Sequence, residues 1–593
     1  MTRTPFPQLD WFMRALVFAV LTLAGPALLA AQDTAIVINP ESTTAGVLPR
    51  EVPRPVAEQA VRFYNAATTT RLVGRTRLPP GNEWRGDVAV RNGSVDLGGR
   101  IHGSLLVING DATLDSTADV SGDVTVVGGT LAIAPGAQVG GETRAYREPF
   151  SYRSNGNDIV LVPRPRRRIP FLGARKTWAG AESYSSLTLA TGGTYNRVEG
   201  VPVVFGPAFS WRVREGFGVR LDALGIFRSV GSLSGEPGNL GYIVNSEVRS
   251  GTPRGVGGGV GAYSVVTPVE SWSLTSAEVG WASVLFQRDY RDYYFTRGVR
   301  GRLFAQPGKP LMLSLALAYD WEGSVNARDP WTLLRNKQSW RSNPPIDAGH
   351  YTTLTAAATL DTRNDDNHPT AGWLIDAQLA NGWSPDVSPR TLPVAVRRPI
   401  PTDGSYQFLR MFLDIRRYTR VSPTGRINFR VLAGGWLGGD PLPLQQRLSI
   451  GGSAPMPGYG FRRTACNGDI TDAAFAGTQV ALCDRVLLTQ VEYRGHLSLH
   501  WSYGKSRPED ETGKSKSPFT LQGPDLVVFG DAGQAWLVGN GPGRLPSDRL
   551  PTIHSWLADL GLGMDWAGFG VYVAKAVTSG EPLRITVRLD HRF

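Results

Sequence analysis

The segment Leu311-Met-Leu-Ser-Leu-Ala-Leu-Ala-Tyr-Asp-Trp321 alternates large apolar side chains with small or polar ones. Its odd-numbered positions hold four leucines, then a tyrosine and a tryptophan. Because successive side chains of a β-strand point to opposite faces, the pattern predicts a strand with one apolar face. Soluble sandwiches contain such strands as well. The length of this strand and its aromatic end favour a membrane strand, with one face toward lipid and the other toward a lumen.

The same division recurs along the second part of the chain, and charged residues occupy only one of the two faces. The clearest further examples are the segments Val491–Trp501, Leu560–Trp566 and Leu583–Phe593. A membrane-spanning strand takes about 9–11 residues, so the region 173–593 accommodates about sixteen strands with their connections. A closed barrel also removes the sheet edges that lipid cannot hydrogen-bond. The sequence therefore predicts an all-β fold whose main part is a transmembrane antiparallel β-barrel over residues 173–593.

Composition agrees with membrane strands and excludes other classes. The 593 residues include 70 Gly and 16 Trp, only 19% are charged, and the mean hydropathy is −0.16. A bundle of transmembrane helices would be far more hydrophobic. The formal charge of +11 is spread thinly over the chain, whereas nucleic-acid binding needs it concentrated, so we expect no nucleic-acid partner.

The region before the barrel divides into four parts. Residues 1–31 have basic residues, an apolar run and small residues in the layout of a cleaved signal peptide. Residues 32–84 are polar and proline-rich and predict an irregular or partly helical periplasmic lead-in, and residues 147–172 form a basic, proline-rich linker. Between them, residues 85–146 contain a repeat. The chain is therefore expected to be exported.

The repeat consists of Gly86-Asp-Val-Ala-Val, Gly103-Ser-Leu-Leu-Val and Gly122-Asp-Val-Thr-Val, with a weaker copy at Gly141. A second glycine follows each strong copy, at Gly93, Gly110 and Gly129. Short apolar strands at a fixed period of 17 to 19 residues indicate the rungs of a β-solenoid. The segment resembles the polymer-forming bactofilin solenoids. A small irregular β-domain is the alternative.

The chain has two cysteines, Cys466 and Cys483, in a polar stretch. In an oxidising compartment such a pair is expected to form a disulfide that closes a loop. No spacing of a zinc site is present.

Five segments of the barrel region resemble the outer-membrane assembly and translocation barrels, the superfamily of BamA, TamA and the two-partner secretion pores. They occur in the family's order, at Tyr195–Gly200, Asp361–Gly372, Leu448–Tyr459, Phe529–Trp536 and the terminal Phe593. The resemblance implies a barrel in which the segment after Leu448 folds inward. It also implies that Phe593 is the insertion signal that the barrel-assembly machinery reads.

The inward segment departs from the family at one position. Members carry Arg-Gly-Phe or Arg-Gly-Tyr, whose arginine pairs with acidic groups of the inner wall, whereas Pro457 stands before Gly458 here. The predicted lumen-loop motif comprises Gly451, Gly452, Gly458, Tyr459, Arg462 and Arg463. Arg462 or Arg463 is expected to supply the missing charge, with Glu492 and Asp531 as its acidic partners on the inner wall. Alternatively, these are ordinary solvated lumen charges.

A second departure lies upstream, where residues 32–171 show no βααββ pattern of the POTRA modules that receive clients in translocating members. The resemblance implies a role in protein or lipid translocation or assembly at the outer membrane of a Gram-negative-type bacterium, with the N-terminal segment in the periplasm. Its expected partners are outer-membrane lipid and a periplasmic protein or scaffold bound through residues 85–146. The alternatives are a small autotransporter-like barrel or a structural membrane anchor. No Gly-x-Ser-x-Gly or His-Glu-x-x-His motif is present, so we expect no enzyme and no catalytic, cofactor or metal site.

Overall fold

The structure is a computed structural model. It describes residues 54–146, 152–155, 158–161, 173–179, 183–191, 195–214, 217–230, 239–251, 255–308, 310–334, 339–363, 369–422, 425–466, 475, 480–497, 501–503, 519–521, 524–566 and 569–593. The predicted signal peptide and the basic run 162–170 lie outside these residues. The chain divides into two compact units. The first comprises residues 43–168, and the second consists mainly of residues 169–593.

The first unit contains a parallel β-solenoid. Its strands are β1 Thr70–Val73, β2 Thr76–Leu78, β3 Glu83–Arg85, β4 Val88–Arg91, β5 Val95–Leu97, β6 Arg100–His102, β7 Leu105–Ile108, β8 Ala112–Leu114, β9 Asp119–Val120, β10 Val124–Val127, β11 Leu131–Ile133, β12 Gln138–Val139 and β13 Thr143–Tyr146. They form three parallel sheets, in the orders β1-β4-β7-β10-β13, β11-β8-β5-β2 and β12-β9-β6-β3. Each rung therefore contributes one strand to each face of the solenoid.

The glycine repeat is explained by the close stacking of these rungs. A Cβ at Gly110 would lie 2.0 Å from the carbonyl oxygen of Gly93, and one at Gly129 would lie 1.9 Å from the carbonyl oxygen of Gly110. No side chain fits at such distances. The glycines thus mark the corner where successive turns of the backbone pass closest to each other.

The solenoid begins earlier than the sequence suggested, which corrects the predicted boundary at residue 85. Helix α1 spans Arg54–Asn65, and the first rung starts at Thr70. The helix packs against the outer side of one sheet, over Leu106 and Ile108, which are buried. Because the helix covers the outer side of this sheet, both faces of β7 are buried and apolar. The strand therefore lacks the alternation of apolar and polar residues that is usual when one face is exposed. Within the predicted linker 147–172, β14 Tyr152–Asn155 pairs with β15 Asp158–Leu161.

The second unit is an antiparallel sheet. Its strands are β16 Gly173–Ala179, β17 Ser183–Thr191, β18 Pro202–Arg214, β19 Phe217–Arg228, β20 Leu240–Ser250, β21 Gly255–Pro268, β22 Tyr293–Gly308, β23 Leu311–Ser324, β24 Gly349–Asp361, β25 Gly372–Ser384, β26 Tyr406–Arg420, β27 Gly425–Gly439, β28 Arg485–His496, β31 Asp525–Val538, β33 Leu557–Trp566, β34 Phe569–Ala576 and β35 Arg584–Arg588, with the two-residue strand β32 Arg544–Leu545 beside β31. A separate hairpin joins β29 Trp501–Tyr503 to β30 Phe519–Leu521. From β17 to β35, sixteen antiparallel strands follow one another, and the predicted all-β barrel of about sixteen strands is confirmed.

The burial pattern of the sheet is inverted relative to a soluble protein. On β23, Leu315, Leu317 and Tyr319 are 45%, 50% and 50% exposed, whereas Asp320 on the other face is buried. Across the sheet, arginine and aspartate side chains fill the interior and leucine and valine side chains cover the outside. Only a surface in contact with lipid makes this arrangement favourable, so the alternative of a soluble sandwich is excluded.

Two belts of aromatic residues bound the apolar outer surface. Trp373 and Trp383 lie near opposite ends of β25 on the same outward face, and both are exposed. Ten residues at about 3.4 Å each, in a strand tilted by about 40°, give a height of about 26 Å. That distance matches the apolar band of an outer-membrane barrel, which is about 25 Å.

The two ends of the barrel differ. At one end, called the turn end, most strands are joined by short connections, as at Gly308–Leu311, Arg420–Gly425 and Trp566–Phe569. At the other, called the cap end, the connections are long and include helix α2 (Ser276–Phe286) and a short 3-10 helix (Leu444–Gln446). Among the residues that the structure describes, no helix is long and apolar enough to cross a membrane.

Candidate functional site

A segment of the connection between β27 and β28 folds into the lumen. Residues 448–464, called the inner loop, are held as a hairpin by backbone bridges between Leu448 and Cys483 and between Ile450 and Thr464. Gly451 and Gly452 adopt φ angles of +110° and +115°, which side chains other than glycine rarely tolerate. Cys466 and Cys483 form a disulfide at the base of the loop, with Cα atoms 5.0 Å apart.

Apolar contacts attach one side of the inner loop to the barrel wall. Ile450, Met456 and Tyr459 are buried in a cluster with wall residues from several strands. The wall residues are Leu432, Val486, Leu488, Ala535 and Ala576. The loop therefore packs on the strands of the second half of the barrel.

Gly458 and Tyr459 make the closest polar contacts with that wall. The Gly458 amide donates to Asp559 at 2.6 Å, and the Tyr459 hydroxyl donates to the carbonyl oxygen of Ala558 at 2.9 Å. A Cβ at Gly458 would lie 2.6 Å from the Cβ of Asp559 and 2.8 Å from the Ala576 nitrogen. Glycine is thus required at position 458 by close approach to β33 and β34.

Arg462 attaches the loop on the opposite side. Its guanidinium donates to Glu270 at 3.0 Å and forms an ion pair with Asp292, and all three side chains are buried. Glu270 also accepts from the amide of Ser449 at 2.6 Å. Both acids belong to the connection between β21 and β22, so the inner loop spans the lumen from β33 and β34 to this connection.

The electrostatics of Asp292 favour a permanent ion pair. Burial acts to raise its pKa, but the guanidiniums of Arg341, Arg462 and Arg197 outweigh burial and hold the pKa well below its usual range. For Glu270, burial outweighs the guanidinium of Arg462, and the pKa is raised. Asp292 is therefore the acid that keeps its charge under acidic conditions.

The predicted acidic partners are wrong for both loop arginines. Arg462 pairs with Glu270 and Asp292, and Arg463, which is half exposed, pairs with Glu581 at 2.7 Å. Glu492 and Asp531 lie on strands of the wall, whereas the charges that reach Arg462 lie on a connection that folds inward from the cap end.

Glu492 and Asp531 lie on the inner wall, fully buried, but bind other cations. Glu492 pairs with Arg494 at 2.6 Å, and Asp531 accepts from Arg592 at 2.6 Å. The Arg592 guanidinium also lies 3.7 Å from the ring centroid of Phe529. Arg592 thus occupies the acidic wall site that the family resemblance assigned to an arginine of the loop.

The final strand is shorter than predicted because the residues after it turn inward. β35 ends at Arg588, and Phe593 lies beyond it. Glu278 of helix α2 accepts from the amide of Leu589 at 3.1 Å, and His591 contacts Asp565. These polar contacts, together with those of Arg592, draw residues 589–593 away from the lipid-facing sheet. The prediction of one strand over Leu583–Phe593 is therefore wrong for its last five residues.

A second group of buried charges, which was not predicted from the sequence, lies beside the inner loop. Arg197 donates to Asp292 at 2.9 Å and forms an ion pair with Asp289 at 3.2 Å. Residues 195–200, the first of the five segments that resemble the assembly and translocation barrels, form a buried turn with a bridge between Asn196 and Gly200. In the sequence, this group is marked by the acidic and aromatic run at 289–294.

Helix α2 completes the inward structure. It begins with a capping box formed by Thr275 and Glu278, and Glu278 also forms an ion pair with Arg588. Val279 of the helix is buried against Ala454 of the inner loop. Helix, inner loop and last strand are therefore in mutual contact.

The Asp361–Gly372 segment forms part of a turn at the turn end. Asp361 accepts from Arg363 at 2.7 Å, and Gly372 adopts a φ of +111°. Residues 364–368 lie outside the described part of the chain.

Comparisons with known proteins concern the barrel. No protein-family model and no curated protein sequence matches the chain. Among solved structures, BamA from Haemophilus ducreyi lacking POTRA domains 1–3 is similar with a TM-score of 0.38 and 12% identity, over 74% of this chain and 73% of that one. CdiB from Acinetobacter baumannii is similar with a TM-score of 0.26 and 10% identity, over 74% and 70%. The FrpB iron transporter from Neisseria meningitidis gives 0.26 and 10%, over 68% and 58%. All are outer-membrane β-barrels, and the similarity concerns that architecture.

Proposed function

We propose that the protein acts in the translocation or assembly of protein or lipid at the outer membrane. The observation that carries this proposal is the inner loop, which is fixed at both sides of the lumen by Gly458 and Arg462. A loop with two buried attachments obstructs free diffusion through the lumen. Because it is held by ion pairs, it provides a closed state that a bound client can change.

The orientation follows from the ends of the barrel. Outer-membrane barrels have short turns toward the periplasm and longer loops toward the outside. On this rule the turn end faces the periplasm and the cap end faces the exterior. Strand direction does not give the side of the β-solenoid, because β16 begins beside Ala190, toward the cap end. We place the β-solenoid in the periplasm from the family resemblance, and there it is available to a protein partner or scaffold.

The two alternatives differ from this proposal in what they require. A small autotransporter needs a barrel of about twelve strands and a solenoid with many more rungs. Here sixteen antiparallel strands follow one another from β17 to β35, with β16 beside β17, and the solenoid has four complete rungs. A structural anchor needs the solenoid but not the inner loop. Protease treatment of whole cells tests the placement, because a surface passenger is cut between residues 85 and 145 and a periplasmic segment is protected.

The function is tested by replacing the gene with the Arg462→Ala variant in the native bacterium. We expect changed amounts of specific outer-membrane proteins or surface lipids, measured by quantitative proteomics and lipid analysis of outer-membrane fractions. The control is Arg463→Ala, which changes an exposed charge one residue away. Unchanged membrane composition in a deletion strain would contradict the proposal and favour the anchor.

A further inference from the structure

A groove crosses the lipid-facing side of strands β27, β28, β31 and β33. It has a volume of about 340 Å³. Its sides are the exposed apolar side chains of Phe429, Val491 and Leu560, and its floor includes Gly530 and Ala532. The small floor residues leave a depression in a surface that is otherwise covered with leucine and valine.

A cation lies beside the groove, on the side of Phe429. In register across the sheet, Phe429 is paired with Arg417, and Arg417 is paired with Trp373. These three positions alternate with the inward residues, so all face outward. The Arg417 guanidinium lies 4.9 Å from the ring centroid of Trp373, in the aromatic belt of the turn end.

Arg417 is an unusual charge for this surface. Its neighbours Asp414 and Arg416 pair with each other inside the barrel, whereas no carboxylate of the described residues lies within ion-pair distance of Arg417. An arginine on the lipid face is tolerated near the interface, where its guanidinium reaches phosphate groups. Stacking on tryptophan holds the guanidinium in place and leaves its N–H groups available.

The distance between cation and groove suits one lipid molecule. From Arg417 to Gly530 the row Arg417, Phe429, Val491, Gly530 crosses three strand spacings, or about 14 Å at ~4.8 Å each. An acyl chain that fills one leaflet of the hydrocarbon core is at least about 15 Å long, half of about 30 Å. A chain that runs along this row, across the tilted strands, from a phosphate at Arg417 is therefore long enough to reach the floor of the groove.

We propose that this surface is a binding site for an anionic phospholipid, with the headgroup phosphate on Arg417 and Trp373 and one acyl chain in the groove over Gly530. The site does not depend on the proposed role in translocation or assembly. It needs only the lipid-facing wall on which it lies.

The test measures lipid binding to the purified full-length protein in detergent by native mass spectrometry. Dioleoyl phosphatidylglycerol is the probe, and dioleoylglycerol provides the same chains without the phosphate. Arg417→Gln is expected to weaken binding of phosphatidylglycerol about five-fold, the equivalent of about 1 kcal/mol for one charge near a membrane surface, and to leave dioleoylglycerol unaffected. Gly530→Val fills the floor and is expected to weaken both lipids.

Two matched variants control for general effects. Arg297→Gln removes an exposed outward charge at the other end of the barrel, and Gly301→Val adds a side chain at an outward glycine with no atom within 4 Å. Both are expected to bind like the parent, and heat-modifiable gel mobility checks that each variant folds. Equal losses in Arg417→Gln and Arg297→Gln, or no loss in Arg417→Gln, would overturn the proposal. Displacement of the lipid by excess inorganic phosphate would also overturn it, since it would indicate a site for free anions.

Discussion

Arg592 donates to Asp531 at 2.6 Å from within a segment that has left the last strand. Both side chains are buried, and the guanidinium also approaches Glu492 at 3.5 Å and covers the ring of Phe529. A buried guanidinium between two carboxylates and an aromatic face is held in one orientation. The residues after β35 are therefore fixed to the inner wall by ion pairs. The inner loop has its acidic partners elsewhere, on the connection between β21 and β22.

Replacing Arg592 by alanine should reduce the yield of folded barrel. The change leaves Asp531 without its cation, and breaking a buried ion pair on one side costs on the order of 3–5 kcal/mol. Heat-modifiable gel mobility of membrane fractions measures the folded fraction. Adding Asp531→Asn to Arg592→Ala should restore part of the yield, because the uncompensated charge is then removed, whereas Glu492 keeps its ion pair with Arg494. A double variant no better than the single one would indicate that Arg592 acts through packing.

The two adjacent arginines of the inner loop should differ in effect. Arg462 is buried between Glu270 and Asp292, whereas Arg463 is 51% exposed and pairs with Glu581. Exposed ion pairs contribute about 0–1 kcal/mol. In planar bilayers, Arg462→Ala should raise single-channel conductance, and Arg463→Ala should match the parent. Equal conductances of the two variants would contradict the assignment of Arg462 as the lumen attachment.

Alternation of side chains was sufficient to predict the barrel, because each strand is governed by a local rule: one face meets lipid and the other the lumen. The solenoid was recognisable for the same reason, since its glycines recur wherever the rungs touch. The partners of Arg462 could not be predicted in this way. Glu270 and Asp292 lie about 170 to 190 residues away, on a connection whose inward course depends on helix α2 and on contacts with the inner loop. The shortened last strand escaped prediction because Leu589 still fits the alternation, whereas its amide is bound by Glu278.

In the solenoid, Gly110→Ala should destabilise the stacked rungs. Its Cβ would lie 2.0 Å from the backbone of Gly93, and since backbone cannot move aside as a side chain can, we expect a cost of at least about 1–3 kcal/mol. Limited proteolysis of the full-length protein should then cut within residues 70–146 faster than in the parent. Thr113→Ala, at an exposed position of β8, is the control and should leave the digestion unchanged.

The attachment of the inner loop should survive mild acid. The pKa of Asp292 is lowered in the folded protein, so its stabilising charge is complete above the ordinary value of about 3.9 and is lost only as the pH falls through the lower folded value. The pKa of Glu270 is raised in the folded protein. The attached state is therefore stabilised, not weakened, when the Glu270 carboxyl takes up a proton as the pH falls. Conductance should therefore stay low between pH 7 and pH 4. Asp292→Asn should raise it already at pH 7, because Arg462, Arg341 and Arg197 lose their shared acid.

Gly458 provides the most direct test of the closed lumen. Gly458→Val places a side chain where the nearest atoms belong to Asp559 and to the backbone of Ala576, both under 3 Å from the new Cβ, and it displaces the amide that donates to Asp559. The loop must then move off β33 and β34, so single-channel conductance and sensitivity to detergent should both increase. Gly460→Ala is the control, because its Cβ would meet the flexible side-chain ends of Arg584, at 3.2 Å, and Glu581, at 3.9 Å, and should behave like the parent. If Gly458→Val conducts no more than Gly460→Ala, the inner loop does not close the lumen, and the role proposed for it in translocation or assembly loses its main support.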